Sequence, residues 1–270
     1  MALPPAGNDR AAVVTGASSG IGEQFARILT QRGHQVVLVA RSADRLAELA
    51  ERLGPKARPL PADLSDRTAR AGLLDRIGDL GLTPDILINN AGLSTLGVVA
   101  KSVPEDELNL VEVDVAAVVD LCSRLLPGMV ERRRGAILNV ASVAAFGPLP
   151  GQAAYGAAKA FVLSYSHSLR GELRGTGVSV TALCPGPVDT GFGEAAGFTK
   201  EEAESALPKV MWIPVDQVAQ AGIDGLAAGK AVVVPGMANR ISAGLFRVAP
   251  PEWMLPFLAR NHPGVKRALA

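Results

Sequence analysis

Short apolar runs rich in β-branched residues alternate with longer amphipathic stretches along almost the whole chain. The runs Val36–Val39 and Ile86–Ile88 contain no polar residue, which is typical of strands buried on both faces of a parallel sheet. The pattern predicts strands at Ala11–Thr15, Gln35–Ala40, Ala57–Pro61, Ile86–Asn89, Ala136–Ala141, Ser179–Leu183 and Ala231–Val234. Helical periodicity predicts helices at Gly20–Arg32, Ala43–Leu53, Asp66–Ile77, Glu105–Arg133, Ala153–Arg174 and Val215–Ala228.

This alternation of strands and helices determines the expected fold. Parallel strands joined through helices have right-handed crossovers, so the helices cover the sheet. We therefore predict an α/β fold: a doubly wound parallel sheet of about seven strands with helices on both faces, a Rossmann fold. Residues 1–270 are expected to form one domain. An irregular stretch around 186–214, with a short helix at Lys200–Ala206, predicts a substrate lid, and residues 237–270 a C-terminal packing segment.

Composition and charge narrow the function classes. The 270 residues are 48% hydrophobic, enough for one core, and a net charge of +1 gives no reason to expect nucleic acid. The chain lacks a signal-like start and a membrane-spanning apolar run, and Cys122 and Cys184 have no paired spacing. We predict a cytoplasmic protein. The stretch Ile241–Leu258 is interpreted as a packing or subunit-contact element, with a weak role at a membrane surface left open.

A glycine-rich turn, Thr15-Gly-Ala-Ser-Ser-Gly-Ile-Gly22, follows the first strand directly. Glycines at this spacing allow a tight turn and a close approach of the backbone to a pyrophosphate, which would sit at the N-terminus of the next helix. A turn without a ligand is the alternative, but the position between a strand and a helix favours nucleotide binding. The candidate residues are Gly16, Ser18, Ser19, Gly20, Ile21 and Gly22.

The end of the second strand indicates which dinucleotide is bound. An acidic residue there would accept from the ribose 2′-hydroxyl, but this strand is followed by Arg41 and Ser42. A guanidinium with a neighbouring hydroxyl favours a 2′-phosphate and therefore NADP(H); an ordinary arginine at a helix start is the alternative. Asp63 and Leu64, after the third strand, are candidates for contacts with the adenine, with Ser65 interpreted as the cap of the next helix.

Tyr155 and Lys159 are four residues apart in a predicted helix and therefore share one face. A cation beside a phenol stabilises the phenolate and lowers its pKa, which suits proton transfer near neutral pH. Ser142, thirteen positions upstream, can hydrogen-bond the same substrate oxygen. Alone, the pair is weak evidence for proton transfer, because a tyrosine and a snorkelling lysine often share an ordinary amphipathic face.

Together these motifs, with Asn89-Asn90-Ala91-Gly92 and Pro185-Gly-Pro-Val-x-Thr190, resemble the short-chain dehydrogenase/reductase family from about Ala11 to Val234. The resemblance implies that Tyr155 is the general acid/base, that Ser142 polarises the carbonyl and that Lys159 holds the nicotinamide ribose. It places these further residues at the cofactor: Asn90, Ala91, Gly92, Pro185, Gly186, Val188 and Thr190. It also implies a homodimer or homotetramer built on helices around Leu110–Arg132 and Ala153–Arg174.

One position departs from the family pattern. Where the family usually has an asparagine that organises a proton relay to the lysine, this chain has Asp114. An ionised aspartate keeps an acceptor but lacks the amide donor, and near Lys159 it would weaken the depression of the Tyr155 pKa. Either Asp114 is a competent relay acceptor, or the enzyme is slower or has a shifted pH optimum.

The expected activity is NADP(H)-dependent interconversion of a carbonyl and a secondary alcohol on a lipophilic small molecule. The alternative is an NADP(H)-binding sensor of the same fold with little turnover. The candidate substrate residues besides Ser142 are Phe146, Pro148, Leu149, Gln152, Phe192 and Trp212, although each could equally be core or lid packing. The three histidines, His34, His167 and His262, have no metal-ligand spacing, so no metal site is predicted.

Overall fold

Seven parallel strands form one sheet in the order β3-β2-β1-β4-β5-β6-β7 in the computed structural model, which describes residues 3–199, 201–202 and 207–269. The strands are β1 Arg10–Thr15, β2 Gln35–Val39, β3 Ala57–Pro59, β4 Thr83–Asn89, β5 Gly135–Val140, β6 Val178–Leu183 and β7 Val232–Val233. In the centre, Val13 pairs with Val37 on one side and with Leu87 on the other. The predicted doubly wound parallel sheet of seven strands is confirmed.

Helices connect the strands. They are α1 Gly20–Gln31, α2 Ala43–Leu53, α3 Arg67–Ala71, α4 Leu73–Asp79, α5 Pro104–Val111, α6 Ala117–Glu131, α7 Ala153–Glu172, α8 Phe192–Ala195, α9 Val215–Ala227, α10 Met237–Val248, α11 Pro251–Asn261 and α12 Pro263–Leu269. None of the helices in the described part of the chain is long and apolar enough to cross a bilayer.

The core consists of two layers, one on each face of the sheet. Alternate residues of a strand point to opposite faces, so Val13 belongs to one layer and Val14 to the other. Leu121 and Val162 of α6 and α7 close the first layer, and Phe25 of α1 packs in the second. Because both faces are covered, the runs Val36–Val39 and Ile86–Ile88 are buried and apolar, as the sequence pattern indicated.

Two predicted helices are interrupted. The helix expected at Asp66–Ile77 is broken at Gly72 into α3 and α4. The helix expected at Glu105–Arg133 contains a π-helical turn at Glu112–Ala116, which separates α5 from α6. Such a turn adds a residue without changing the apolar pattern enough to be seen in a sequence.

The predicted helix Lys200–Ala206 lies outside the described residues except for Glu201 and Glu202. The lid expected around 186–214 includes α8 and a 3-10 turn at Lys209–Met211, and its role stays a prediction. Because all strands are parallel, every loop that follows a strand leaves from the same edge of the sheet, which is where ligands bind in such folds.

Candidate active site

The glycine turn connects β1 to α1 with the geometry that its spacing predicts. Gly16 has φ of +64° and Gly20 has φ of +56°, a region that side chains other than glycine avoid. A Cβ at Gly22 would lie 2.1 Å from the Gly16 carbonyl oxygen, so only glycine fits there. The Ser19 side chain does not cap α1, so it leaves the first backbone N–H groups of the helix unpaired by a side chain at the turn.

The loop after β4 is tied to the end of β1. The Thr15 hydroxyl accepts hydrogen bonds from the backbone N–H groups of Asn90 (2.9 Å) and Ala91 (3.0 Å). The Asn90 side chain donates in return to the Thr15 carbonyl oxygen at 3.0 Å. These bonds hold Asn90 and Ala91 against the glycine turn, and Gly92 continues toward Asp114 and Lys159.

Arg41 and Ser42 are exposed after β2, and Ser42 makes no side-chain capping bond to α2. Asp63 accepts from the Ser65 backbone N–H at 2.9 Å, which lowers the pKa of its carboxyl; the nearby Arg41 charge adds to the effect. The predicted cap is wrong, because Asp66 rather than Ser65 caps α3 by accepting from the Thr68 N–H. Leu64 is buried in the core.

The loop after β6 contacts three other parts of the site. Pro185 accepts from the Val143 backbone N–H at 2.9 Å, which joins this loop to the one that carries Ser142. Thr190 lies against Gly20 of the glycine turn. Val188 packs against the core, and a Cβ at Gly186 would overlap the side chain of Asn239.

Ser142, Tyr155 and Lys159 lie together at the carboxyl edge of the sheet. Ser142 follows β5 directly, and the other two project from the same face of α7. The Lys159 ammonium is 5.6 Å from the centre of the Tyr155 ring, and the Ser142 hydroxyl is close enough to the phenol to lower its pKa. The three residues therefore form one cluster, as their spacing predicted.

Asp114 sits in the middle of the π turn and forms an ion pair with Lys159. Its Oδ2 lies 2.9 Å from the Lys159 Nζ, and both side chains are buried. The other carboxylate oxygen accepts from the Leu93 N–H at 2.6 Å, and Lys159 also donates to the Val140 carbonyl oxygen at 3.3 Å. The expected proximity of Asp114 to Lys159 is confirmed.

The pKa values in this cluster follow from burial and from the ion pair. Burial raises the pKa of Tyr155, and the Lys159 charge and the neighbouring Ser142 hydroxyl oppose this, whereas Asp114 adds to it. Burial lowers the pKa of Lys159, but the combined effects of Asp114, Tyr155 and Cys184 exceed the effect of burial, so the pKa is raised. Burial raises the pKa of Asp114 although Lys159 lowers it. The predicted depression of the Tyr155 pKa is therefore wrong as a net effect.

A family model described as short chain dehydrogenase matches residues 10–201. The chain belongs to the short-chain dehydrogenase family. An uncharacterized oxidoreductase from Staphylococcus epidermidis is 36% identical over 207 residues, 76% of this chain and 90% of that protein. An NADP-dependent 3-hydroxy acid dehydrogenase from Salmonella typhi is 35% identical over 216 residues, 74% of this chain and 87% of that protein.

A solved structure extends the match beyond the family model. The short-chain dehydrogenase from Sphingobium yanoikuyae in complex with NADPH is 34% identical, with a TM-score of 0.77, over 89% of this chain and 96% of that one. The expectation of an enzyme of the short-chain dehydrogenase family is confirmed. Within the described residues, no three His, Cys, Asp or Glu side chains are grouped so as to hold a metal ion.

The predicted substrate residues of this short-chain dehydrogenase occupy different environments. The Phe192 ring lies 5.9 Å from the Tyr155 ring, so Phe192 borders the cluster of Ser142, Tyr155 and Lys159. Leu149 packs over Gly156, one residue beyond Tyr155. Phe146 packs against the core. Trp212 is half-buried beyond the 3-10 turn Lys209–Met211.

A series of hydrogen-bonded polar side chains, which the sequence did not predict, accompanies these apolar residues. The Gln152 side-chain amide donates to the Ser94 hydroxyl at 2.6 Å, and its oxygen lies 3.2 Å from His262 Nε2. His262 lies between α11 and α12, 110 positions from Gln152. No local pattern could have found this contact, because it depends on how the end of the chain folds back.

Arg70 is a second residue that the sequence did not single out. Its side chain is buried and donates to the Leu64 carbonyl oxygen in the loop after β3. It also forms ion pairs with Glu112 of the π turn (3.0 Å) and Asp120 of α6 (3.2 Å). Arg70 thus links the Asp63–Leu64 loop to the turn that carries Asp114.

Proposed function

We propose that this chain is an NADP(H)-dependent oxidoreductase that interconverts a carbonyl and a secondary alcohol, with Tyr155 as general acid/base. The observation that carries the proposal is the single cluster of Ser142, Tyr155 and Lys159 beside the glycine turn. A phenol, a hydroxyl and an ammonium group in one place can transfer a proton to, and stabilise charge on, a substrate oxygen.

The residues at the glycine turn fit a dinucleotide. Gly16, Gly20 and Gly22 let the turn pack closely against Asn90, Ala91 and Thr190, and a pyrophosphate would bind at the N-terminus of α1. Exposed Arg41 and Ser42 suit a 2′-phosphate, and two of the similar proteins are described with NADP or NADPH. Asn90–Gly92 and Pro185–Thr190 would flank the nicotinamide half. Asp63 and Leu64 would border the adenine, Leu64 through its backbone because its side chain is buried.

In this proposal, the cofactor supplies or accepts the hydride, and the protein handles the proton. Tyr155 donates its phenolic proton to the carbonyl oxygen during reduction and takes it back during oxidation. Ser142 hydrogen-bonds the same oxygen. Lys159 stabilises the phenolate, and Asp114, to which it is directly paired, offsets part of the lysine charge.

The side chains near Tyr155 suit a lipophilic substrate with one polar anchor. Phe192 and Leu149 provide apolar contacts near Tyr155. Gln152, fixed by Ser94 and His262, provides an amide at the rim. A ligand held by apolar contacts and oriented by a few polar groups fits this arrangement.

A screen of carbonyl compounds for NADPH and NADH oxidation tests the activity. Tyr155→Phe should lower kcat by roughly 10²- to 10⁴-fold and leave the NADPH dissociation constant nearly unchanged. The chain has one other tyrosine, Tyr165 on the same helix, so Tyr165→Phe is the matched control and should keep its activity. Turnover that survives Tyr155→Phe would refute the role of Tyr155.

The sensor alternative is supported by the Asp114–Lys159 ion pair, which offsets the charge that activates Tyr155. It would be favoured if NADPH bound tightly but no carbonyl in a broad screen were reduced. A cytoplasmic location remains a proposal as well; both cysteines are free and buried, in line with a reducing compartment.

We also propose a homodimer or homotetramer that uses α5 to α7. Leu108, Val111 and Phe161 are large apolar side chains exposed on these helices, which a subunit contact would cover. Sedimentation equilibrium of the wild type and of Leu108→Glu should show a dimer or tetramer that the substitution weakens. A wild-type monomer would contradict the proposal.

A further inference from the structure

The C-terminal helices present a second apolar surface to solvent. On α10, Met237, Ile241, Leu245 and Val248 are exposed, and on α11 Trp253 and Phe257 are exposed, each by 58% to 79%. We call these six residues the C-terminal apolar face. Surfaces of this kind on a folded protein mark a site of interaction.

The C-terminal apolar face points away from the rest of the protein. On α10 its residues are spaced by four, four and three positions, so they form one stripe. The opposite stripe contains the buried Asn239 and Ala243, and Phe246 on that side packs over Gly147. The helix therefore lies against the enzyme on one side and turns its apolar stripe outward.

The charges around the face are almost all positive. Residues 237–269 contain only one acidic residue, Glu252, but five basic ones: Arg240, Arg247, Arg260, Lys266 and Arg267, of which Arg267 is paired with Glu202. The whole chain has a net charge of +1. Arg240 and Arg247 are exposed and lie seven positions apart, on the same flank of α10. An apolar stripe with cationic flanks and an exposed tryptophan is typical of helices that bind in the plane of a membrane.

A second copy of this chain fits the face less well. A two-fold interface brings the same patch of both subunits together, so the arginines of one copy would approach those of the other. An anionic surface would instead attract them. We propose that the C-terminal apolar face docks on an anionic phospholipid surface, with α10 and α11 lying in the interface.

Helix α10 and the residue that follows α11 also contact residues near the proposed substrate site. Phe246 of α10 packs over Gly147, and His262, directly after α11, hydrogen-bonds Gln152. Docking would therefore place the mouth of the cleft next to the bilayer. This consequence rests on the proposed function, because it suits an enzyme whose substrate is lipophilic.

Vesicle binding tests the docking without substrate or cofactor. The full chain should co-sediment with mixed phosphatidylcholine and phosphatidylglycerol vesicles at least about tenfold better than with phosphatidylcholine alone, and high salt should weaken this binding. The chain has two tryptophans, so Trp212→Phe leaves Trp253 as the only one. Its fluorescence should shift to the blue and be quenched by brominated lipid.

Two variants distinguish vesicle binding through the C-terminal apolar face from nonspecific hydrophobic binding. Ile241→Glu with Leu245→Glu should reduce vesicle binding about tenfold or more, whereas Val210→Glu, at an exposed apolar position outside the face, should not. Equal binding to both kinds of vesicle, or no effect of the double substitution, would overturn the proposal. So would a wild-type dimer that the double substitution dissociates, because a second copy would then cover the face. Since neither cofactor nor substrate is present, these outcomes are independent of whether Tyr155 supports turnover.

Discussion

Lys159 and Asp114 form a buried ion pair, with 2.9 Å between Nζ and Oδ2. The family usually has an asparagine where this chain has Asp114. The Asp114 carboxylate changes the electrostatics of its neighbours. It raises the pKa of Lys159 and adds to the burial effect that raises the pKa of Tyr155. Lys159 affects the pKa of Tyr155, the proposed acid/base, and Asp114 in turn affects the pKa of Lys159.

The substitution Asp114→Asn should shift the pH–rate profile toward lower pH. Without the carboxylate, the full charge of Lys159 acts on Tyr155, which lowers the phenol pKa, so the limb of the profile that reports Tyr155 moves to more acidic values. The measurement is kcat/KM against pH with NADPH and an active carbonyl compound. Glu112→Gln, on the same π turn but partly exposed, is the control. Superimposable profiles for Asp114→Asn and the wild type would show that Asp114 does not tune Tyr155.

Arg41→Glu should reverse the preference between the two cofactors. Arg41 is exposed at the end of β2, where it can pair with a 2′-phosphate, and a glutamate there would repel that phosphate and accept from a ribose 2′-hydroxyl. We expect kcat/KM for NADPH to fall roughly 10- to 100-fold and that for NADH to change little or rise. Arg45→Glu, in the first turn of α2, makes the same charge change four positions away and is the control. Equal losses with NADPH and NADH would argue against a phosphate contact.

Gly22→Ala should destabilise the fold. The new methyl group would lie 2.1 Å from the Gly16 carbonyl oxygen, so the glycine turn would have to move. We expect the free energy of unfolding to fall by about 1–3 kcal/mol. Gly171→Ala, in α7 with open space around it, should instead raise it by roughly 0.5–1 kcal/mol. Urea denaturation of both variants measures the difference, and a Gly22→Ala variant as stable as Gly171→Ala would contradict the packing argument.

The features that the sequence predicted well are local ones. The glycine turn is contiguous, and Tyr155 and Lys159 are one helical turn apart, so their relation follows from helix geometry alone. The position of Asp114 follows from the match of Leu110–Ala117 to the family pattern in the helix before the fifth strand. The net pKa of Tyr155 was predicted in the wrong direction, because the sequence shows the neighbouring lysine but not the burial that outweighs it.

The features that the sequence missed depend on distant contacts. Asn239 fills the space beside Gly186 in the loop after β6, and its amide donates to the Met211 and Pro235 carbonyl oxygens. Arg70 joins two loops that are separated by more than one strand–helix unit. Neither residue stands in a motif. Their roles follow only once the sheet order and the path of the C-terminal helices are known.

His262→Ala should weaken substrate binding more than it slows the chemical step. Burial lowers the pKa of His262, so its ring is neutral at physiological pH. Nδ1 accepts from the Gly264 N–H at 3.2 Å, which leaves the proton on Nε2 to donate to the Gln152 oxygen. This bond orients the Gln152 amide, and without it the amide can rotate away from the cleft.

We therefore expect His262→Ala to raise KM for the carbonyl substrate about three- to tenfold, with kcat and KM for NADPH nearly unchanged. His262→Gln keeps a donor near the position of Nε2 and should recover part of the loss. His167→Ala, an exposed histidine on α7, is the control and should behave like the wild type. If His262→Ala lowered kcat and left the substrate KM unchanged, His262 would act on the catalytic cluster rather than on the rim of the cleft. Steady-state kinetics that vary each substrate in turn distinguish the two outcomes.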